Sequence, residues 1–83
     1  MNQAIQFPDR ENWDEAQQAI CFPAMVNGFQ LTCAITVKEL RQRFLEEGEP
    51  LEIFRRHRWD LEDQAQSLIE DQQEDSQGWV WLS

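Results

Sequence analysis

Asn27-Gly28 lies in the middle of the stretch Gln17 to Thr36, and apolar residues alternate on both sides of it. Asn followed by Gly supplies the two φ > 0 positions of a type I′ turn more readily than other pairs, so the stretch predicts a two-residue β-hairpin. Pairing Val26 with Phe29 sets Ala24 against Leu31, Phe22 against Cys33 and Ile20 against Ile35, an unbroken apolar face. A slip of one residue would scatter that set over both sides of the sheet, so the turn fixes the register. The other face is mixed: Met25 meets Gln30, Pro23 meets Thr32, Cys21 meets Ala34 and Ala19 meets Thr36.

Pro23 is compatible with this register. Counted back from Val26, position 23 is a non-hydrogen-bonded site, so the missing N–H points away from the partner strand and weakens only the outer edge. That edge is expected to be free near Pro23 or paired along the first half of the strand by the short segment Ala4 to Phe7, which itself ends at the Pro8-Asp9 turn. Between these elements, Asp14 and Gln17 have the spacing of an N-cap and its partner, predicting a single helical turn with Trp13 as a lid on the core edge.

Past the hairpin the apolar period changes to that of helices. Thr36 and Glu39 form a capping box, and Val37, Leu40, Phe44 and Leu45 make a stripe that predicts a helix over residues 37–46. Gly48 suits the position past a helix and Pro50 the first turn of another, with Leu51 and Phe54 facing inward. Asp60 then caps the longest helix, which carries Leu61, Ala65, Leu68 and Ile69 on one face and ends between Asp71 and Asp75. The acidic run Glu70 to Gln77 reads as a solvated loop, and Gly78 breaks to Trp79-Val80-Trp81-Leu82, a closing strand apolar on both faces.

These elements predict an α+β fold: one domain spanning 1–83, a small and mainly antiparallel sheet built on the central hairpin, two or three helices on one face and a C-terminal strand. A chain of 83 residues hides only about 60–65% of its unfolded surface, so the core is small and a cleft between lobes has no room. The formal charge of −9 is uneven: residues 1–37 sum to −3, residues 38–58 to +1 and residues 59–83 to −7. An acidic whole repels phosphate backbones and argues against nucleic acid as a partner. With no apolar run of about 20 residues and no signal-peptide pattern at the N-terminus, the expected location is cytoplasmic, away from membranes.

Cys21 and Cys33 fall on opposite faces of the hairpin and are expected to be reduced packing residues, and two thiols without supporting ligands make no metal site. His57 is the sole histidine, with no nucleophile placed beside it, and reads as a surface histidine among arginines. No glycine-rich phosphate loop and no singled-out carboxylate pair exists, so the expectation is no catalytic residues, no cofactor and no enzyme. Arg55, Arg56 and Arg58 beside Trp59 could hold an anion, yet Glu52, Asp60, Glu62 and Asp63 lie close enough to neutralise them as intramolecular ion pairs.

Taken as an ordered set, Ile5-x-Phe7, Trp13-Asp14, Ala19-Ile20-x-Phe22-x-Ala24, Gly28, Cys33-x-Ile35, Phe54, Arg58-x-Asp60-x-Glu62, Ala65, Ile69 and Gly78 cover nearly the whole chain. In that set the chain resembles the bacterial family called domain of unknown function 1488. The resemblance implies a small single-domain α+β protein with a β-hairpin, helices and a C-terminal strand, and brings no activity or catalytic residues with it. The Trp79-Val80-Trp81 end is more apolar than the family's usual tail.

The functional expectation is a non-enzymatic protein-binding or regulatory module. If helices cover one sheet face, one pair of the closing strand, Trp79 with Trp81 or Val80 with Leu82, is left on the other with Met25 and Cys21, and the patch reaches several hundred Å², the scale of an interface for a homodimer or another protein; Trp79 and Trp81 are the candidate contact residues. The alternative is that Trp13 or Phe7 folds over that patch. Rival functions are a nucleic-acid-associated regulator using Arg55, Arg56 and Arg58, and a small enzyme with an unrecognised site.

Overall fold

The computed structural model describes residues 4–82. Its centre is the hairpin of β3 (Ala19–Val26) and β4 (Phe29–Thr36), joined by Asn27 at φ 52° and Gly28 at φ 87°. All eight cross-strand pairs stand in the predicted register, from Val26 with Phe29 to Ala19 with Thr36. The two positive φ values are what a type I′ turn demands, so local turn chemistry and the apolar alternation agree on one pairing.

Two short strands share the outer edge of β3. The first, β1 (Ile5–Gln6), pairs with Val26 and Met25, and β2 (Asn12–Asp14) pairs with Cys21, Ile20 and Ala19. Pro23 falls in the gap between them, where it has no N–H to offer a neighbour. This corrects two sequence expectations. The N-terminal strand takes the half of β3 next to the turn, and Trp13-Asp14 is strand, because the open first half of β3 needed a partner. The Asp14 to Gln17 capping bond does form, at 3.0 Å, but it closes the turn into β3 instead of starting a helix.

The helices come in the expected order. The first, α1 (Val37–Phe44), is capped by Thr36, whose hydroxyl accepts the Glu39 N–H at 3.1 Å. It stops two residues earlier than its apolar stripe suggests, because Leu45 turns left-handed at φ 52° and its N–H closes on the Arg41 carbonyl. Next, α2 (Pro50–Arg56) leads almost directly into α3 (Arg58–Glu70). His57 serves both helices: its N–H bonds to the Ile53 and Phe54 carbonyls, and its carbonyl accepts from Leu61. The long helix therefore begins before Asp60, and the expected Asp60 cap is replaced by backbone continuity.

The last strand, β5 (Trp79–Trp81), lies parallel to β4, with Thr32 beside Trp79, Cys33 beside Val80 and Ala34 beside Trp81. The main path of the sheet is β1-β3-β4-β5, with β2 also on β3, and the pairings other than β4 with β5 are antiparallel. All three helices pack on one face. Ile20, Phe22, Ala24, Cys33, Ile35, Val80 and Leu82 from that face join Leu40, Ile53, Phe54, Leu61, Ala65 and Ile69 in a single buried cluster. Among the described residues no helix is long and apolar enough to cross a membrane.

Candidate functional site

Strand alternation decides what the helices leave uncovered. Side chains that pair directly across a sheet share a face, so the cross-strand rows Cys21, Ala34, Trp81 and Pro23, Thr32, Trp79 stand opposite the helices, with Met25 and Gln30 beyond them. The floor of this face is made of small residues. Ala19 and Ala34 are 0% exposed and Cys21 4%, although no helix lies over them, so neighbours on the same face shelter them. Trp79 and Trp81 are half-buried at the β5 side, their rings tilted against each other with centroids 5.4 Å apart. At the opposite edge residues 7–11 arch around Pro23 and leave an open depression of about 470 Å³, with Cys21, Pro23 and Thr32 in its floor.

The loop before β5 holds the tryptophans in place. Asp75 accepts the N–H of Gln77 at 2.8 Å and that of Trp79 at 2.9 Å, and its own N–H donates to the Trp79 carbonyl. The Trp79 N–H is the main influence holding the Asp75 carboxyl below its ordinary value, with further help from Gln77 and the Trp81 side chain. Asp75 thus remains a charge at the rim of the aromatic pair.

The expected cover for this face goes elsewhere. Phe7 packs on Phe22, ring centroids 6.3 Å apart, on the helix side, and Trp13 pairs with Ile20 on that side too, its indole N–H donating to Glu15 at 2.6 Å. The tryptophan pair is left without either of them.

The thiols behave as packing groups. Both are free and sit on opposite faces, and burial pushes Cys33 up to about 12, while burial followed by the nearby Asp14 charge raises Cys21. Thiols with raised pKa values are poor nucleophiles at neutral pH. No group of three or more His, Cys, Asp or Glu positioned for a metal occurs among the described residues.

The basic cluster is largely engaged inside the chain. Arg58 is a hub: its guanidinium donates to Glu11, to Glu62 at 2.9 Å, and to the Pro8 and Arg10 carbonyls at 2.9 and 3.0 Å, while lying 5.3 Å from the Phe54 ring centre. Arg55 joins it on Glu11 at 2.9 Å. Burial works to raise the Glu11 carboxyl, and the two guanidiniums outweigh it, leaving Glu11 below its ordinary value. Arg56 and His57 share Glu46, and the His57 contact is the largest influence holding Glu46 low. His57 is less exposed than its sequence context suggests, since its ring stacks on Phe44 with centroids 3.7 Å apart.

The sequence put Cys21 and Met25 on one face and left open whether Trp79 and Trp81 or Val80 and Leu82 join them, and the fold places the two tryptophans there. Arg55, Arg56 and Arg58 belong to a separate region at the junction of α2 and α3. Reading the sequence missed the partners that Glu11 and Glu46 supply, which lie far along the chain from the arginines. It also missed the exposure of Trp59, at 84%, for which helical periodicity was the available signal: Trp59 lies off the Leu61, Ala65 and Ile69 stripe.

Residues 5–82 match the family model described as "Protein of unknown function (DUF1488)". The chain is 61% identical to the uncharacterized protein YrdB of Escherichia coli K12 over 84 aligned positions, covering 99% of each chain, and equally to YrdB of Shigella flexneri. Its fold superposes on the crystal structure of a DUF1488-family protein of unknown function from Shewanella loihica PV-4 with a TM-score of 0.91, 35% identity, and 99% and 94% of the two chains covered.

Proposed function

We propose a role for a chain that belongs to DUF1488, a family of proteins of unknown function: it is a non-enzymatic protein-binding module, regulatory in kind, that docks through the helix-free face of its sheet. The observation that carries this reading is the half-buried pair Trp79 and Trp81 on a face that no helix covers, with Met25 and a floor of small residues beside it. Tryptophan contributes large rigid contact area, and aromatic residues and Met are enriched at the centres of protein interfaces. The titratable groups support the non-enzymatic part: Glu11, Glu46 and Asp75 are held low and both thiols are raised, whereas an acid catalyst needs a raised carboxyl and a nucleophile a lowered thiol.

Sedimentation velocity at micromolar concentration, joined to affinity capture, tests the proposal by comparing the parent chain with Met25→Glu and Trp79→Glu. Loss of a dimer or of a captured protein in the variants, with far-UV circular dichroism unchanged, is the expected result. A monomeric parent whose captured proteins are the same as those of the variants would overturn it.

A further inference from the structure

We infer that the uncovered sheet face receives a cationic, apolar segment of a different protein and not a second copy of this chain. The inference rests on the proposed docking role and adds the chemistry of the partner.

The shape comes from residues already placed. Cys21, Pro23, Thr32 and Ala34 form a low floor, the two indoles rise at the β5 edge, and the arch of residues 7–11 rises at the other. A strand or one face of a helix fits such a trough, with its apolar side chains on the floor.

The rim decides the charge. Asp14 pairs with Ala19 in the sheet and so stands on this face, near enough to act on the Cys21 thiol. Asp75 touches the tryptophan pair through the Trp79 N–H and the Trp81 side chain. Asp9, on the arch, is exposed but lies 3.8 Å from the Arg58 guanidinium, which offsets its charge, so it adds little to this rim. Against Asp14 and Asp75 the arch offers one base, Arg10. An apolar centre with an acidic rim selects partners with Lys or Arg beside their apolar residues, and long basic stems also lie well on indole faces.

The same rim disfavours a second copy. In a two-fold interface the identical patch meets itself, so the acidic rim with Asp14 and Asp75 would be brought against its duplicate. A head-to-tail arrangement needs a cationic surface elsewhere on the chain. Arg43, Arg55, Arg56 and Arg58 are instead paired with Glu39, Glu11, Glu46 and Glu62 in the helical layer, and Arg41 donates to the Gly48 carbonyl. The charge of the four paired arginines is compensated before any partner arrives, which leaves Lys38 and Arg41 of α1 as a small cationic remainder in the helical layer.

The test uses the full chain and two synthetic peptides of about a dozen residues, one alternating Lys with Val and one alternating Glu with Val, so that each presents a strand with one apolar edge. Binding is followed by the NMR signals of the indole N–H groups at about 50 and about 300 mM salt, between which surface charges become strongly screened. The Lys peptide is expected to move the Trp79 and Trp81 signals and leave Trp59 in place, with affinity falling at least about tenfold at the higher salt. The double variant D14N/D75N should weaken it about fivefold or more, as expected for losing two rim charges. Both asparagines keep the side-chain oxygen that accepts the Gln17 and Trp79 N–H groups, so the turns persist, and circular dichroism checks that they do.

Equal affinity for the Lys and Glu peptides would overturn the inference, as would a Lys peptide that moves Trp59 alone. A dimer at low salt that Met25→Glu dissociates would overturn it while upholding the docking role. A monomer that binds neither peptide and captures nothing that Met25→Glu loses would overturn both.

Discussion

Replacing Arg58 with Ala removes the side chain that ties the arch of residues 7–11 to α3. Its side chain is 13% exposed, and those of its partners Glu11 and Glu62 are 14% and 20% exposed, so the three charges are mostly withdrawn from water. Removing one member of a buried pair costs about 3–5 kcal/mol because the remaining charge stays unpaired. Glu11 retains Arg55, and all three groups keep some contact with solvent, which brings the expectation to about 3 kcal/mol. That figure includes the lost contact with the Phe54 ring, worth about 0.5–1 kcal/mol. For a domain of this size it lowers the melting temperature by about 12–24 °C.

Arg58→Lys separates geometry from charge. An ammonium keeps the positive charge but lacks the planar fork that reaches Glu62, Glu11 and two carbonyls together, so the loss should be about 1–2 kcal/mol. Urea unfolding followed by far-UV circular dichroism measures both variants, and amide exchange of residues 9–12 shows whether the arch has loosened. Arg58→Ala within about 0.5 kcal/mol of the parent, the range of an ordinary surface change, would refute the reasoning, and so would a Lys variant as stable as the parent.

Cys33→Ser places a hydroxyl in a 0% exposed site among apolar side chains and should cost about 2 kcal/mol, against about 1 for Cys21→Ser, and equal urea midpoints would contradict this. Peptide mapping under non-reducing conditions should recover no Cys21–Cys33 linkage, since the thiols stand on opposite sheet faces. Gly28→Ala meets no atom but is forced to φ +87°, so a loss of about 1 kcal/mol is expected and an unchanged denaturation midpoint would be inconsistent with the turn. Glu11, Glu46 and Asp75 lie below their unfolded values of 4.5, 4.5 and 3.8, so the native chain binds fewer protons than the unfolded one. The stability they contribute is complete above those values and is lost as pH falls through the lower folded ones; a urea midpoint that rises as the pH is lowered from about 5 to about 3 would show the sign to be wrong.

The parts of the fold legible in sequence are those written in local chemistry. Asn27-Gly28 states its own turn, Thr36 with Glu39 states a helix start, and Pro50 another, and each is found where its residues place it. The departures arise where a neighbour distant in sequence decides. Asn12 to Asp14 has no strand-like alternation of its own and becomes strand because β3 presents an open edge there. Leu45 continues an apolar stripe yet leaves the helix, since the chain must turn toward Pro50. The same division runs through the candidate site. Which side chains share the hairpin's outer face follows from period two alone, while the fate of Arg58 depended on Glu11, 47 positions away.

The parallel placement of β5 also has a consequence for how the molecule is made. Hairpin contacts span a few to some seventeen residues, whereas Thr32 and Trp79 are 47 positions apart, with three helices to be formed between them. During synthesis β3 and β4 can associate early, and the free edge of β4 then stays open until the chain beyond Gly78 has appeared. An open edge is a template for strands from other molecules, and slow, non-local pairing prolongs that exposure. The few residues of β5 therefore act as a stopper as well as a strand: they occupy the edge of β4, and Val80 closes the core beside Cys33.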